Sequence, residues 1–113
     1  MAFEKILNHL LQQKGVEGVI FLDSEGEAVF CYGKTEHERL KAMGAYQGIV
    51  LSSVKRLDTG ENGTIWTRCL DRSILTQQLK DGYYVSVVLS GDANLAQAHF
   101  TFQDYFIQLE KEL

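Results

Sequence analysis

Between residues 35 and 57 the apolar positions fall at steps of three and four: Leu40, Met43, Gly44, Val50, Leu51, Val54 and Leu57. That spacing keeps them on one side of a helix. Thr35 followed three residues later by Glu38 is a capping box, in which each side chain accepts a hydrogen bond from an otherwise unpaired backbone N–H. Small residues crowd the middle of the segment, among them Ala42, Gly44, Ala45, Gly48, Ser52 and Ser53. A glycine inside a helix costs roughly 1 kcal/mol relative to alanine, so Gly44 and Gly48 need a reason, and close approach of another backbone supplies one. This helix is expected to pack tightly on a sheet, on a second copy of itself, or on both.

The rest of the chain divides by period. Phe3, Ile6, Leu7, Leu10 and Leu11 have helical spacing and predict a first helix over about 2–14, with Gly15 as its stop. Val19 to Leu22 is a short apolar run suited to a buried strand. The turn Asp23-Ser24-Glu25-Gly26 follows, and 28–32 returns as a second strand to make a hairpin. After the long helix, 58–63 is a polar loop with an Asn62-Gly63 pair. Strands are then expected over 64–70, 73–79 and 83–89, joined by connections short enough for an antiparallel meander. Alternation through 83–89, where Tyr83, Val85, Val87 and Leu89 interleave with Tyr84, Ser86 and Val88, marks a strand near the middle of a sheet. Asp92 is placed to cap a last helix whose apolar face is Leu95, Ala98, Phe102, Tyr105, Phe106, Leu109 and Leu113. The expected order is α-β-β-α-β-β-β-α: an α+β fold, a five-stranded antiparallel sheet with three helices packed on it.

Length and composition change this picture little. The 113 residues fit one domain spanning 1–113, and 45% hydrophobic with 23% charged residues is the balance of a folded chain. A net charge of -4 offers no basic footprint for nucleic acid, and Lys55, Arg56, Arg68 and Arg72 are too separated to make one. No signal peptide or membrane-spanning run is visible, so a cytoplasmic protein without membrane insertion is expected. Cys31 and Cys69 match no metal spacing and are read as buried reduced thiols.

Candidate chemistry is scarce. His9, His37 and His99 each lie in a predicted helix without an inferable nucleophile beside them, and no H-x-x-x-H pair suggests zinc. Gly60 and Gly63 form no phosphate loop, and the Gly15/Gly18 pair precedes a strand rather than opening a helix. The acidic turn Asp23, Glu25, Glu27 lacks the ligand spacing of a calcium loop. Neither an enzyme nor a cofactor is expected. What stands out is the strand over 64–70, which begins the meander and carries Ile65, Trp66 and Cys69. An apolar strand at a sheet edge invites pairing with another chain, and aromatic residues are enriched at interfaces. Such a strand together with a small-residue helix suggests one isologous homodimer that buries both.

The order of elements, the stretch Gly15-Val16-Glu17-Gly18-Val19-Ile20-Phe21-Leu22-Asp23-Ser24-Glu25-Gly26, and the passage from Tyr83 through Ser90-Gly91-Asp92 to Leu95 resemble the roadblock/dynein light chain family. Glu25 stands where an aspartate is common before the turn glycine, and the last helix is unusually aromatic, with Phe100, Phe102, Tyr105 and Phe106. The resemblance implies a roadblock/profilin-like fold and a dimer in which the third strands pair across a two-fold axis while the long helices lie side by side. On this sequence the implied seam contains Gly44, Gly48, Leu51, Ile65, Trp66 and Arg68. It further implies work with Ras-like small GTPases, as in the bacterial and archaeal MglB group, which acts by reshaping its partner, so no arginine finger is carried over. Partner contacts would come from Glu38, Lys41, Ala45, Gln47 and Ser52. The rival expectations are a small ligand-sensing module and a structural, light-chain-type subunit of a larger complex.

Overall fold

The computed structural model describes residues 2–33, Leu40, Met43, 64–68 and 72–113. Among these, the elements run α1 (Ala2–Leu11), β1 (Val16–Leu22), β2 (Ala28–Gly33), β3 (Thr64–Arg68), β4 (Arg72–Gln78), β5 (Tyr84–Ser90) and α2 (Leu95–Lys111), with a single 3-10 turn over Lys80–Gly82. Among the described residues these elements are two helices flanking five strands, and the middle helix of the expected order is not one of them. The helix expected over 35–57 falls outside the described residues except for Leu40 and Met43, which are both helical. The polar loop expected over 58–63, together with Cys69 and Leu70, also lies outside them.

All five strands form one antiparallel sheet in the order β2-β1-β5-β4-β3. The alternating strand 83–89 was expected near the middle, and β5 is indeed central, paired with β1 on one side and β4 on the other. Hairpins β1–β2 and β3–β4–β5 are as the short connections require. Gly26 takes φ +86 in the first turn, a region L side chains avoid. Asp23 holds that turn, its Oδ1 accepting from the N–H of Glu25 at 2.9 Å and of Glu27 at 3.0 Å. A bulge follows where the register shifts between Phe21 and Leu22, and Val29 there is 48% exposed.

Period two divides the sheet into two faces. Val19, Phe21, Leu75, Val85, Val87 and Leu89 point to the face covered by α1 and α2, where they meet Leu7, Leu10, Phe102, Phe106 and Leu109. Burying each such side chain contributes about 1.5–3 kcal/mol, so this layer is the main core. The opposite face presents Ile20, Leu22, Ile74, Tyr84 and Val88 to Leu40, with Met43 and Ile65 packed alongside. One polar pair lies on it: Thr76 Oγ1 and Ser86 Oγ are 2.8 Å apart and fully buried.

Both helix ends differ from expectation. α1 stops at Leu11, short of Lys14, because Gln13 turns back and its Nε2 donates to the terminal carbonyl of His9. The same amide also donates to Tyr105 Oη at 3.1 Å, tying α1 to α2. At α2 the cap is Asn94, not Asp92: Asn94 Oδ1 accepts from the Gln97 N–H at 3.0 Å. Ala93 N–H instead closes a turn on the Ser90 carbonyl, which leaves Asp92 within the connection.

Candidate functional site

β3 lies at one end of the sheet, and among the described residues no strand sits outside it. An uncovered edge offers backbone groups to an incoming strand, so this is where an interaction site is most directly written into the backbone. Its side chains alternate. Thr64, Trp66 and Arg68 pair with Gln77, Leu75 and Ser73 and share the face of α1 and α2, whereas Ile65 and Thr67 pair with Thr76 and Ile74 on the Leu40 face.

Trp66 is 47% exposed, which is unusual for the largest apolar side chain in the sequence. It leans on α2, with its ring centroid 5.6 Å from that of His99 and the planes at 64°. His99 Nε2 is in turn hydrogen-bonded to Gln103 Nε2. The indole is therefore supported by α2 while about half of its surface faces solvent.

Arg68 serves the same edge from its end. Its Nη1 donates to the Gly91 carbonyl at 2.6 Å and its Nη2 to the Ala93 carbonyl at 2.9 Å. The planar fork of the guanidinium suits two neighbouring acceptors. In this way β3 is tethered to the connection leading into α2. Thr64 Oγ1 adds a side-chain bond to Gln77 Oε1 at the other end of the strand.

Of the residues expected at a dimer seam, the structure brings Trp66 and Arg68 to one face of β3 and puts Ile65 on the other, half-buried against the second core cluster. Gly44, Gly48 and Leu51 lie outside the described residues. So do all the expected partner contacts, Glu38, Lys41, Ala45, Gln47 and Ser52. Sequence reasoning missed the supporting role of His99 and the tether made by Arg68. His99 is one residue off the apolar stripe of α2, and that offset was the available signal.

Cys31 is half-buried and packs with the Leu40 cluster; Cys69 lies outside the described residues. His9 is exposed on α1. Among the described residues, no helix is long and apolar enough to cross a membrane.

No protein-family model matches the sequence, and no curated protein is significantly similar to it. Solved structures are similar in shape. Myxococcus xanthus MglB superimposes with a TM-score of 0.80, covering 97% of this chain and 93% of that one at 13% sequence identity. A Roadblock/LC7 domain from Streptomyces avermitilis gives 0.74 over 96% of this chain and 91% of that one, at 14% identity. An MglB described in a tetrameric arrangement gives 0.81 over 96% and 85%, at 11% identity. At such identities the likeness is one of fold. The chain, with its five-stranded antiparallel sheet, therefore has a roadblock/MglB-like fold.

Proposed function

We propose that the chain is a non-enzymatic, self-associating regulator or scaffold of a Ras-like small GTPase, with a role similar to that of MglB. The observation that carries this reading is Trp66: a half-exposed indole on an edge strand of a roadblock/MglB-like fold. Two copies related by a two-fold axis would pair β3 with β3, continue the sheet and cover both indoles at once. The tetrameric arrangement described for one MglB supports self-association as a habit of this fold. GTPase regulation rests on the resemblance described above, and the reading assigns it to the dimer rather than to any residue of one copy.

Two measurements test the reading. Sedimentation of the wild-type chain is expected to give a dimer, and Trp66→Asp, which sets two like charges near each other across the seam, is expected to give a monomer with unchanged circular dichroism. A wild-type monomer, or a fully dimeric Trp66→Asp, contradicts the seam. For the partner, affinity purification from the native cells with a GTP analogue present is expected to recover a small GTPase. Recovery of motor or metabolic subunits without any GTPase would point to the structural-subunit alternative.

A further inference from the structure

The two flanks of α2 differ. Gln97 and Thr101 line a cleft shared with the segment after α1, and Gln108 lines one shared with α1 itself. His99 lies on the other flank, against Trp66, and its Nε2 is hydrogen-bonded to Gln103 one turn on. Ala96 stands three residues before His99 and Ile107 four after Gln103, so 96, 99, 103 and 107 form one stripe at helical steps. Phe100, four after Ala96 and three before Gln103, crowns it. Phe100 is 83% exposed and Ile107 49%. From Ala96 to Ile107 the stripe holds no Asp, Glu, Lys or Arg. The exposed Asp104 borders it only beyond Phe100 and Ile107, on the edge away from Trp66. With the half-exposed indole, the stripe makes one uncharged surface that runs from the β3 edge up the flank of α2.

Two contacts fix how α2 runs beside that edge. Arg68 holds the carbonyls of Gly91 and Ala93, just before the helix, whereas Trp66, two residues back along β3, meets His99 inside it. The helix therefore runs back along β3, in the opposite sense to the strand. It packs over β4, the neighbour of β3. In a dimer that pairs β3 with β3 about an axis normal to the sheet, both α2 helices lie on one face. Strands are about 4.8 Å apart, so the two β4 strands are three spacings, about 14 Å, from each other. Helices about 10–12 Å wide with their side chains, set over those strands, leave a gap of a few ångströms. Trp66 and the facing residues of the stripe are what stands in it. β3 alone offers five residues, against about 20–30 on each side of a stable interface. A seam at this edge must draw on what flanks it, and on this face that is α2.

We propose that α2 supplies a second layer of the dimer seam. The stripe Ala96, His99, Phe100, Gln103 and Ile107 packs on the same stripe of a second copy, above the paired β3 strands. This layer presupposes the β3–β3 dimer proposed above and adds a helix–helix contact to it. A second copy is the occupant that the chemistry fits, because the stripe offers no fixed charge for a charged partner to recognise. An uncharged surface that adjoins a free strand edge meets its own counterpart across a two-fold axis.

Sedimentation of the full chain over a range of concentrations tests the layer by giving the dimer Kd. Ile107→Asp is expected to weaken the dimer about tenfold or more, because the seam would then bury two unpaired carboxylates. Phe100→Asp is expected to weaken it in the same sense. Gln108→Asp, on the α1 flank, is expected to change it by no more than about twofold, as for an exposed substitution away from the contact. All three positions are exposed, so unchanged circular dichroism is expected of each variant. A dimer that Trp66→Asp abolishes but that Ile107→Asp and Phe100→Asp leave at wild-type strength would overturn the helix layer and leave the β3 seam standing. Equal weakening by Gln108→Asp would overturn the layer as well. A monomeric wild type, or a dimer indifferent to Trp66→Asp, would overturn the seam and this layer with it.

Discussion

Leu40 sits directly on Gly33. A Cβ built at Gly33 would lie 2.5 Å from Leu40 Cδ1, and one at Gly18, its cross-strand partner, would lie 2.8 Å from Leu40 Cδ2. Two glycines paired across β1 and β2 thus leave a shallow hole in the sheet, and one fully buried leucine fills it. Gly33 is the tighter position, since its Cβ would also come within 3.0 Å of the Glu17 carbonyl oxygen. Backbone cannot rotate aside as a leucine methyl can. Gly33→Ala is therefore expected to destabilise the fold by about 1–3 kcal/mol, the usual range for overpacking, and Gly18→Ala by less. Leu40→Ala is expected to cost about 2–5 kcal/mol through the cavity it leaves. In urea titrations the double variant Gly33→Ala, Leu40→Ala should be more stable than the sum of the single effects predicts, because the clash and the cavity offset each other.

The buried hydroxyl pair on the same face behaves in the opposite way. Thr76→Val removes one member and strands the Ser86 hydroxyl in the core. Leaving a buried polar group unpaired costs about 1–3 kcal/mol. Thr76→Val with Ser86→Ala removes both hydroxyls of this pair and is expected to be more stable than the sum of the two single effects. Thermal melts of the three variants decide the matter, and a double variant that merely adds the two single losses would count against the pairing.

Arg68 is expected to act through its fork and not through its charge alone. Arg68→Lys keeps the charge but cannot reach two carbonyls in one plane, so it should resemble Arg68→Ala. Either change is expected to lower stability by roughly 1 kcal/mol and to speed amide exchange in β3 and in the connection 91–94. Full protection in Arg68→Lys would show that a single contact suffices.

Alkaline pH should find Tyr84. Burial pushes its phenol above the usual 10.0, and the negative charge of Asp23 adds to the effect. Burial, with Glu4 second, raises Tyr32 in the same sense. A folded state that holds its proton more tightly than the unfolded chain keeps its full stability below the unfolded value. It then loses stability as pH climbs from about 10 through the folded value. Tyr84→Phe is expected to flatten that part of the profile. A pH–stability curve identical to wild type above pH 10.0 would remove Tyr84 as a cause.

Much of this architecture follows from local pattern. The period of three and four placed α1 and the apolar face of α2, where Leu95, Phe102, Phe106 and Leu109 are all buried. Short apolar runs bounded by turn residues, with alternation through 83–89, placed five strands within a few residues of their ends, and the short connections called for hairpins. Period two also holds the reason why Ile65 and Trp66 do not share a surface, since adjacent strand residues point to opposite faces. Taking both for one seam overlooked it. The choice of Asn94 over Asp92 as cap turned on a two-residue difference in how the connection folds, where both side chains are competent.

Other features had no local signature. Gly18, Gly33 and Leu40 form one contact, yet no spacing rule links them, because the hole exists only when β1 and β2 are in register. Lys5 and Lys111 line one cleft although they stand at opposite ends of the chain. In a linear pattern Trp66 can be core or interface, and the interface reading rests on the general enrichment of aromatic residues there. Its exposure is set by β3 falling at the sheet edge beside α2, with nothing beyond it among the described residues. Backbone periodicity is a property of neighbours along the chain and survives in the sequence. Edges, holes and clefts belong to segments that meet only after the chain has folded.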